Sequence, residues 1–274
     1  MANINFPHKK RLQLLWFSSM LFIFSALLIR LIVNLEEAVL MKAFRLVFNY
    51  QPFGNILEFD GITNWSDFKV VIVYSIGPLL SFLAGLILIR VLDKSKYLGW
   101  KLRLFMTWLA FVLIHLLPLG MLSGVLFSQD FGYASNNFFM TPLFRGAISA
   151  AMLVLAVYFR PLWLKLFSRA AYSHRIIDHK ETFIKWVFIR SWGLGLLVLS
   201  FFASIGNYWS WLIEIALMGF VILPFFNWTT PKLKLRLTKL GGEEIFKYKI
   251  TPYLYSALII ALLVLAQVLM NFLS

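Results

Sequence analysis

Three charged residues sit where a charge is costly. Arg30, Arg190 and Glu214 fall within apolar runs long enough to cross a bilayer, and an ionisable group at membrane depth is a functional hypothesis by default. Arg30, near one end of its run, can snorkel to water. Arg190 lies seven residues into its run, roughly 10 Å at 1.5 Å per residue, and can also reach water. Glu214 is set to a similar depth from the opposite face, which makes an Arg190–Glu214 pair geometrically awkward. It reads either as a carboxyl bonded within a helix bundle or as the coupling group of an ion or proton carrier.

Metal chemistry has less to work with. A zinc-binding helix needs two histidines at i and i+4 with a glutamate between them. The four histidines are His8, His115, His174 and His179, and none has a partner at i+4. With no cysteine in the chain, thiolate sites, disulfides and a thiol nucleophile are excluded. Neither a metal nor a cofactor is expected. Ser123, in HLLPLGMLSG (115–124), has no base beside it and no Gly-x-Ser-x-Gly elbow around it. Glu36, Glu37, Asp60 and Asp130 could serve as acid or base toward a lipid-linked substrate, but no spacing singles out a pair.

The elements that must position these residues are apolar helices. Of 274 residues 61% are hydrophobic and 14% charged, more apolar matter than one water-soluble core can hide. About 20 apolar residues cross a bilayer. Seven segments qualify: about 12–33, 70–92, 104–127, 144–168, 183–205, 208–226 and 253–273. The fold class expected is therefore an all-α integral membrane protein of about seven transmembrane helices, a single domain over 1–274. The first segment follows Lys9-Lys10-Arg11, lacks a small-residue cleavage site and reads as a retained helix.

The positions of the basic residues set the expected orientation. Of 26 Lys and Arg, 20 fall at the N-terminus and in the second, fourth and sixth connections, against Lys42, Arg45, Lys69 and Arg145 on the other side. The positive-inside rule then puts the N-terminus in the cytoplasm and the C-terminus outside, in a bacterial inner membrane. The net charge of +14 is explained by cytoplasmic Lys and Arg that meet anionic lipid head groups, so no nucleic acid is implied. Among the connections, 36–48 carries Lys42, Arg45 and Asn49 on one face and predicts an amphipathic helix on the outer interface. Segment 49–69, with its Pro-Phe-Gly and Asp-Gly turns, predicts an outer hairpin, and KLKLRLT (232–238) running on to EEIFKYKI predicts a cytoplasmic one.

Small residues recur at helical spacing. Gly77, Ser81 and Gly85 share a face, and Gly120 with Gly124 forms a Gly-x-x-x-Gly, stripes that let helix backbones approach closely. Pro78 and Pro118 would kink these two helices.

Three segments in order, Glu36-Glu37-Ala38-Val39-Leu40, then SIGPLLSFLAGLIL (75–88), then HLLPLGMLSG, resemble the signature of site-2-type intramembrane metalloproteases. That signature is a His-Glu-x-x-His helix, a Gly-Pro helix, and a stretch like Asn-Leu-Leu-Pro-x-x-x-Leu-Asp-Gly. The third match keeps Leu116, Leu117, Pro118, Leu122 and Gly124, and the resemblance covers about residues 30–127, with additional helices over 144–274. Glu37 aligns with the family's catalytic glutamate. Glu36 and Leu40 replace its two histidine ligands, and Ser123 replaces its aspartate ligand. The resemblance thus implies a related core without its metal, a pseudoprotease. A cleft lined by Arg30, Asn34, Glu37, His115 and Ser123 would then bind a peptide or helix without cutting it. The expected function is a non-enzymatic structural or assembly subunit of a membrane protein complex, partnered by other membrane subunits. A Glu214-dependent transporter or channel and a lipid-linked enzyme are its rivals.

Overall fold

The computed structural model describes residues 8–49, 56–57, 66–95, 98–127, 141–170 and 184–205, together with Glu214, Ala216, Ile259 and Leu263. The architecture is helical. Helix α1 spans His8–Ala43, α2 Asp67–Lys94, α3 Trp100–Phe127, α4 Pro142–Tyr158 and α5 Arg160–Arg169. A π-helical turn over Lys185–Arg190 leads into α6, Ser191–Ile205. Among the described residues, four helical stretches are long and apolar enough to cross a membrane: Arg11–Ala43, Phe68–Lys94, Trp100–Ser123 and Lys185–Ser204.

Helix α1 is the spine, packing on α2, α3 and α6. Ring pairs Phe17–Trp100 and Phe24–Phe105 advance together along α1 and α3, so these helices are parallel. Contacts of Leu15 with Ser191 and of Phe22 with Gly195 make α1 and α6 parallel too. Helix α2 runs the other way against both. Its Gly85 meets Ile114, its Phe82 packs on Leu117, and its Gly77 meets Glu36. A short connection between two long apolar helices favours this antiparallel pairing.

The core is built around Trp108 of α3. Its ring lies 4.9 Å from Phe22, 5.6 Å from Phe111, 4.6 Å from Phe167 and 5.7 Å from Phe188, centroid to centroid. Its indole N–H donates to Ser18 Oγ at 2.8 Å, and that hydroxyl donates to the Val187 carbonyl at 2.6 Å. The acceptor belongs to the π-helical turn, whose wider winding loosens the regular hydrogen-bond ladder. One polar chain thus ties α3 to α1 and α1 to α6. At Gly195 an added Cβ would collide with the Phe22 ring, so the close approach of α6 to α1 depends on a side chain that is only a hydrogen.

Two expected elements change. Segment 36–48 is no separate interfacial helix, because α1 continues unbroken through Glu36 and Glu37 to Ala43. It then stops in a Schellman turn. Leu46 N–H bonds Met41 O at 2.9 Å, Arg45 N–H bonds Lys42 O at 3.1 Å, and Leu46 packs with Met41 in a small second core. Arg45 takes the left-handed position of that turn at φ 56°, a conformation that suits glycine. Arg45→Gly should therefore stabilise the protein by about 0.5–1 kcal/mol, the Cβ strain removed less the added freedom of the unfolded chain. A denaturant titration in detergent reads this as a higher midpoint.

The span expected over 144–168 divides into α4 and α5 at Phe159. Pro161 accounts for the break: it offers no N–H to the preceding turn, its ring crowds the carbonyl there, and it is at home in the first turn of the helix that follows. Helix α4 leaves Leu143, Val154 and Tyr158 exposed, whereas α5 buries Trp163, Leu164 and Phe167. Asp93 at the end of α2 accepts from Lys165 at 3.1 Å and from Arg169, fastening α5 to it.

Helices α2 and α3 run through Pro78 and Pro118. Phe48–Asn49 pairs antiparallel with Ile56–Leu57, a two-residue ladder at the base of the hairpin expected over 49–69. The cytoplasmic hairpin, the histidine-bearing loop at 174–179, Asp60 and Asp130 lie outside the described residues, as do 208–226 and 253–273 apart from the four positions named above.

Candidate functional site

Arg30, Asn34 and Glu37 recur at i, i+4 and i+7 and share one face of α1, where all three are buried. The helix closes one of these charges within the bundle. Arg30 Nη1 donates to Glu214 Oε2 at 3.2 Å and to Oε1 at 3.3 Å, and the two side chains are 7% and 8% exposed. Arg30 is therefore not a snorkelling residue at a helix end, because a carboxylate inside the bundle holds it in place. The pair joins residues 184 positions apart, linking the first helix to the far end of the chain. Arg190 takes a different course: it is exposed, with its guanidinium 4.0 Å from the centre of the Trp186 ring.

His115 and Ser123 are buried on α3. His115 Nδ1 lies 2.8 Å from the Phe111 carbonyl, and its ring stacks 4.2 Å from Phe111 and 5.6 Å from Trp163. Ser123 donates its hydroxyl proton to the Gly120 carbonyl of its own helix at 3.0 Å. A serine bonded back along its helix serves packing, the usual role of small polar residues there. All five residues expected to line a cleft are interior groups, three on α1 and two on α3.

The small-residue face of α2 sits at the close approaches. A Cβ on Gly77 would stand 2.5 Å from Glu36 Oε2 and 2.9 Å from Val33 Cγ1, both on α1. A Cβ on Gly85 would stand 2.9 Å from Ile114 Cγ1 on α3. Ser81, between them on the same face, is buried. Gly120 and Gly124 both lie within α3. Nine residues on from Ile114 is Ser123, and nine back from Gly85 is Ile76, so antiparallel α2 and α3 bring Ser123 level with the Ile76–Gly77 step. The glutamate pair, the Gly-Pro step and HLLPLGMLSG thus lie at one end of the bundle.

Glu36, an acid or base candidate in sequence, is set apart in the structure by its missing partner. Both of its carboxylate oxygens are shielded from solvent and have no hydrogen-bond partner among the described residues. Among those residues no cluster of three metal-ligating side chains forms.

No family model, curated protein or solved structure matches this chain.

Proposed function

We propose that this chain is a seven-helix protein of a bacterial inner membrane, with a cytoplasmic N-terminus. It acts without catalysis, as a structural or assembly subunit that holds a partner helix or peptide in a membrane complex. The observation that carries this reading is where the polar groups of the bundle direct their bonds. Arg30 closes on Glu214, Ser123 on Gly120 and Ser18 on Val187, each an internal fastening rather than an acid, base or nucleophile facing a substrate. The pseudoprotease resemblance fits this reading: Glu36, Leu40 and Ser123 stand where zinc ligands would be, and a leucine cannot bind a metal.

Mild-detergent extraction from native membranes, followed by native mass spectrometry, tests it. The expected result is a defined complex with at least one other membrane protein, free of stoichiometric zinc. Recovery as a lone monomer, or with one zinc per chain, would sink the reading.

A further inference from the structure

Glu36 lies on an outward face. Ile32, Glu36 and Val39 follow at i, i+4 and i+7, and Ile32 and Val39 are 52% and 56% exposed. On α2, Gly77, Leu80 and Ile87 likewise share a stripe at i, i+3 and i+10, and both Leu80 and Ile87 are exposed. The seam between α1 and α2 therefore has apolar, open walls and a carboxyl tucked against Gly77. A buried polar group without a partner is costly and calls for an explanation. In membrane helices such groups pair with an opposite charge or a donor. Arg30, bonded to Glu214, lies on a different face of α1 from Glu36.

We infer that the α1–α2 seam docks a membrane helix that carries a lysine or arginine, whose N–H donors complete Glu36 once its carboxyl turns outward from Gly77. This rests on the partner-binding reading and names the chemistry of the partner. A second copy of this chain does not supply that cation through its exposed Arg190. Ser191 is level with Leu15, and Glu36 lies 21 residues further along the parallel α1, roughly 30 Å away at 1.5 Å per residue. The partner's basic residue sits at the depth of Glu36, near the carboxyl end of α1.

The full chain in lipid nanodiscs, titrated with fluorescent Leu-Ala helices of about 21 residues, tests this. One helix carries a single Lys at the depth of Glu36, one carries Leu there, and one Asp. The wild type should bind the Lys helix roughly tenfold more tightly than the Leu helix. Glu36→Gln should abolish that preference, and Glu36→Lys should transfer it to the Asp helix, a gain that misfolding cannot mimic. Equal binding of the Lys and Leu helices by the wild type, or a Lys preference that survives Glu36→Gln, overturns the inference. A chain that co-purifies with a native partner yet shows no Lys preference loses this inference alone. A chain that prefers the Lys helix but leaves native membranes as a monomer loses the assembly reading instead.

Discussion

Arg30→Met should cost the fold about 3–5 kcal/mol, because it strips Glu214 of the guanidinium that compensates its charge inside the bundle. The side chains are 7% and 8% exposed, so water cannot take over the carboxylate. Glu214→Leu should be similarly damaging from the other side. The double variant, Arg30→Met with Glu214→Leu, should recover most of the loss, since two apolar groups of similar volume can replace a buried pair at little net cost. Unfolding in mixed detergent micelles gives the three free energies, and the cycle yields the coupling. A loss under about 1 kcal/mol in each single variant would mean the pair is screened as a surface bridge is. The same variants bear on the transport rival: a carrier coupled through Glu214 should lose pH-dependent flux in Glu214→Gln, whereas a subunit fastened by this pair should lose stability.

The helical character of the chain was legible because its apolar runs exceed the length a bilayer needs, and the four long helices overlap four of the runs visible in composition alone, three of them reaching beyond the run. Helix ends were less legible. Lys42, Arg45 and Asn49 read as the polar side of a separate surface helix, yet nothing between Asn34 and Ala43 breaks a helix, and α1 simply continues. The turn that ends it uses Arg45 in the left-handed position, where no glycine announced it. Pro161 did announce a break, but within a run of Leu, Val and Phe its effect was outweighed by hydropathy. The Arg30–Glu214 pair was half legible. Both residues lie a short way in from the same expected membrane face, whereas Arg190, the partner weighed for Glu214 in sequence, is at the opposite depth and makes an awkward pair. Depth was the better guide. Glu36 was visible as a carboxylate but not as an unpartnered one, because its lack of a partner depends on Gly77 bringing α2 close and on the outward turn of Ile32 and Val39.

The remaining large effect lies at Trp108. It is fully buried, meets four aromatic rings, and holds Ser18 in place for the Val187 carbonyl. In water, Trp→Ala in a core costs about 3–5 kcal/mol, part of it the transfer of apolar surface and part the cavity left behind. In a bilayer the separated helices already lie in hydrocarbon, so the transfer part is small and packing drives association. Trp108→Ala should therefore fall at the lower end, about 3 kcal/mol, carried by the cavity and the lost ring contacts. Trp108→Phe separates the contributions: it keeps much of the ring packing but removes the donor to Ser18, for an expected cost of about 1 kcal/mol. Ser18→Ala should cost more than Trp108→Phe, since it removes both bonds of the chain and leaves the buried indole N–H without its acceptor. In the double variant the cost should fall short of the sum, because both substitutions remove the Trp108–Ser18 bond. If they do add, the serine and the indole act independently, and the three helices are held by ring packing alone.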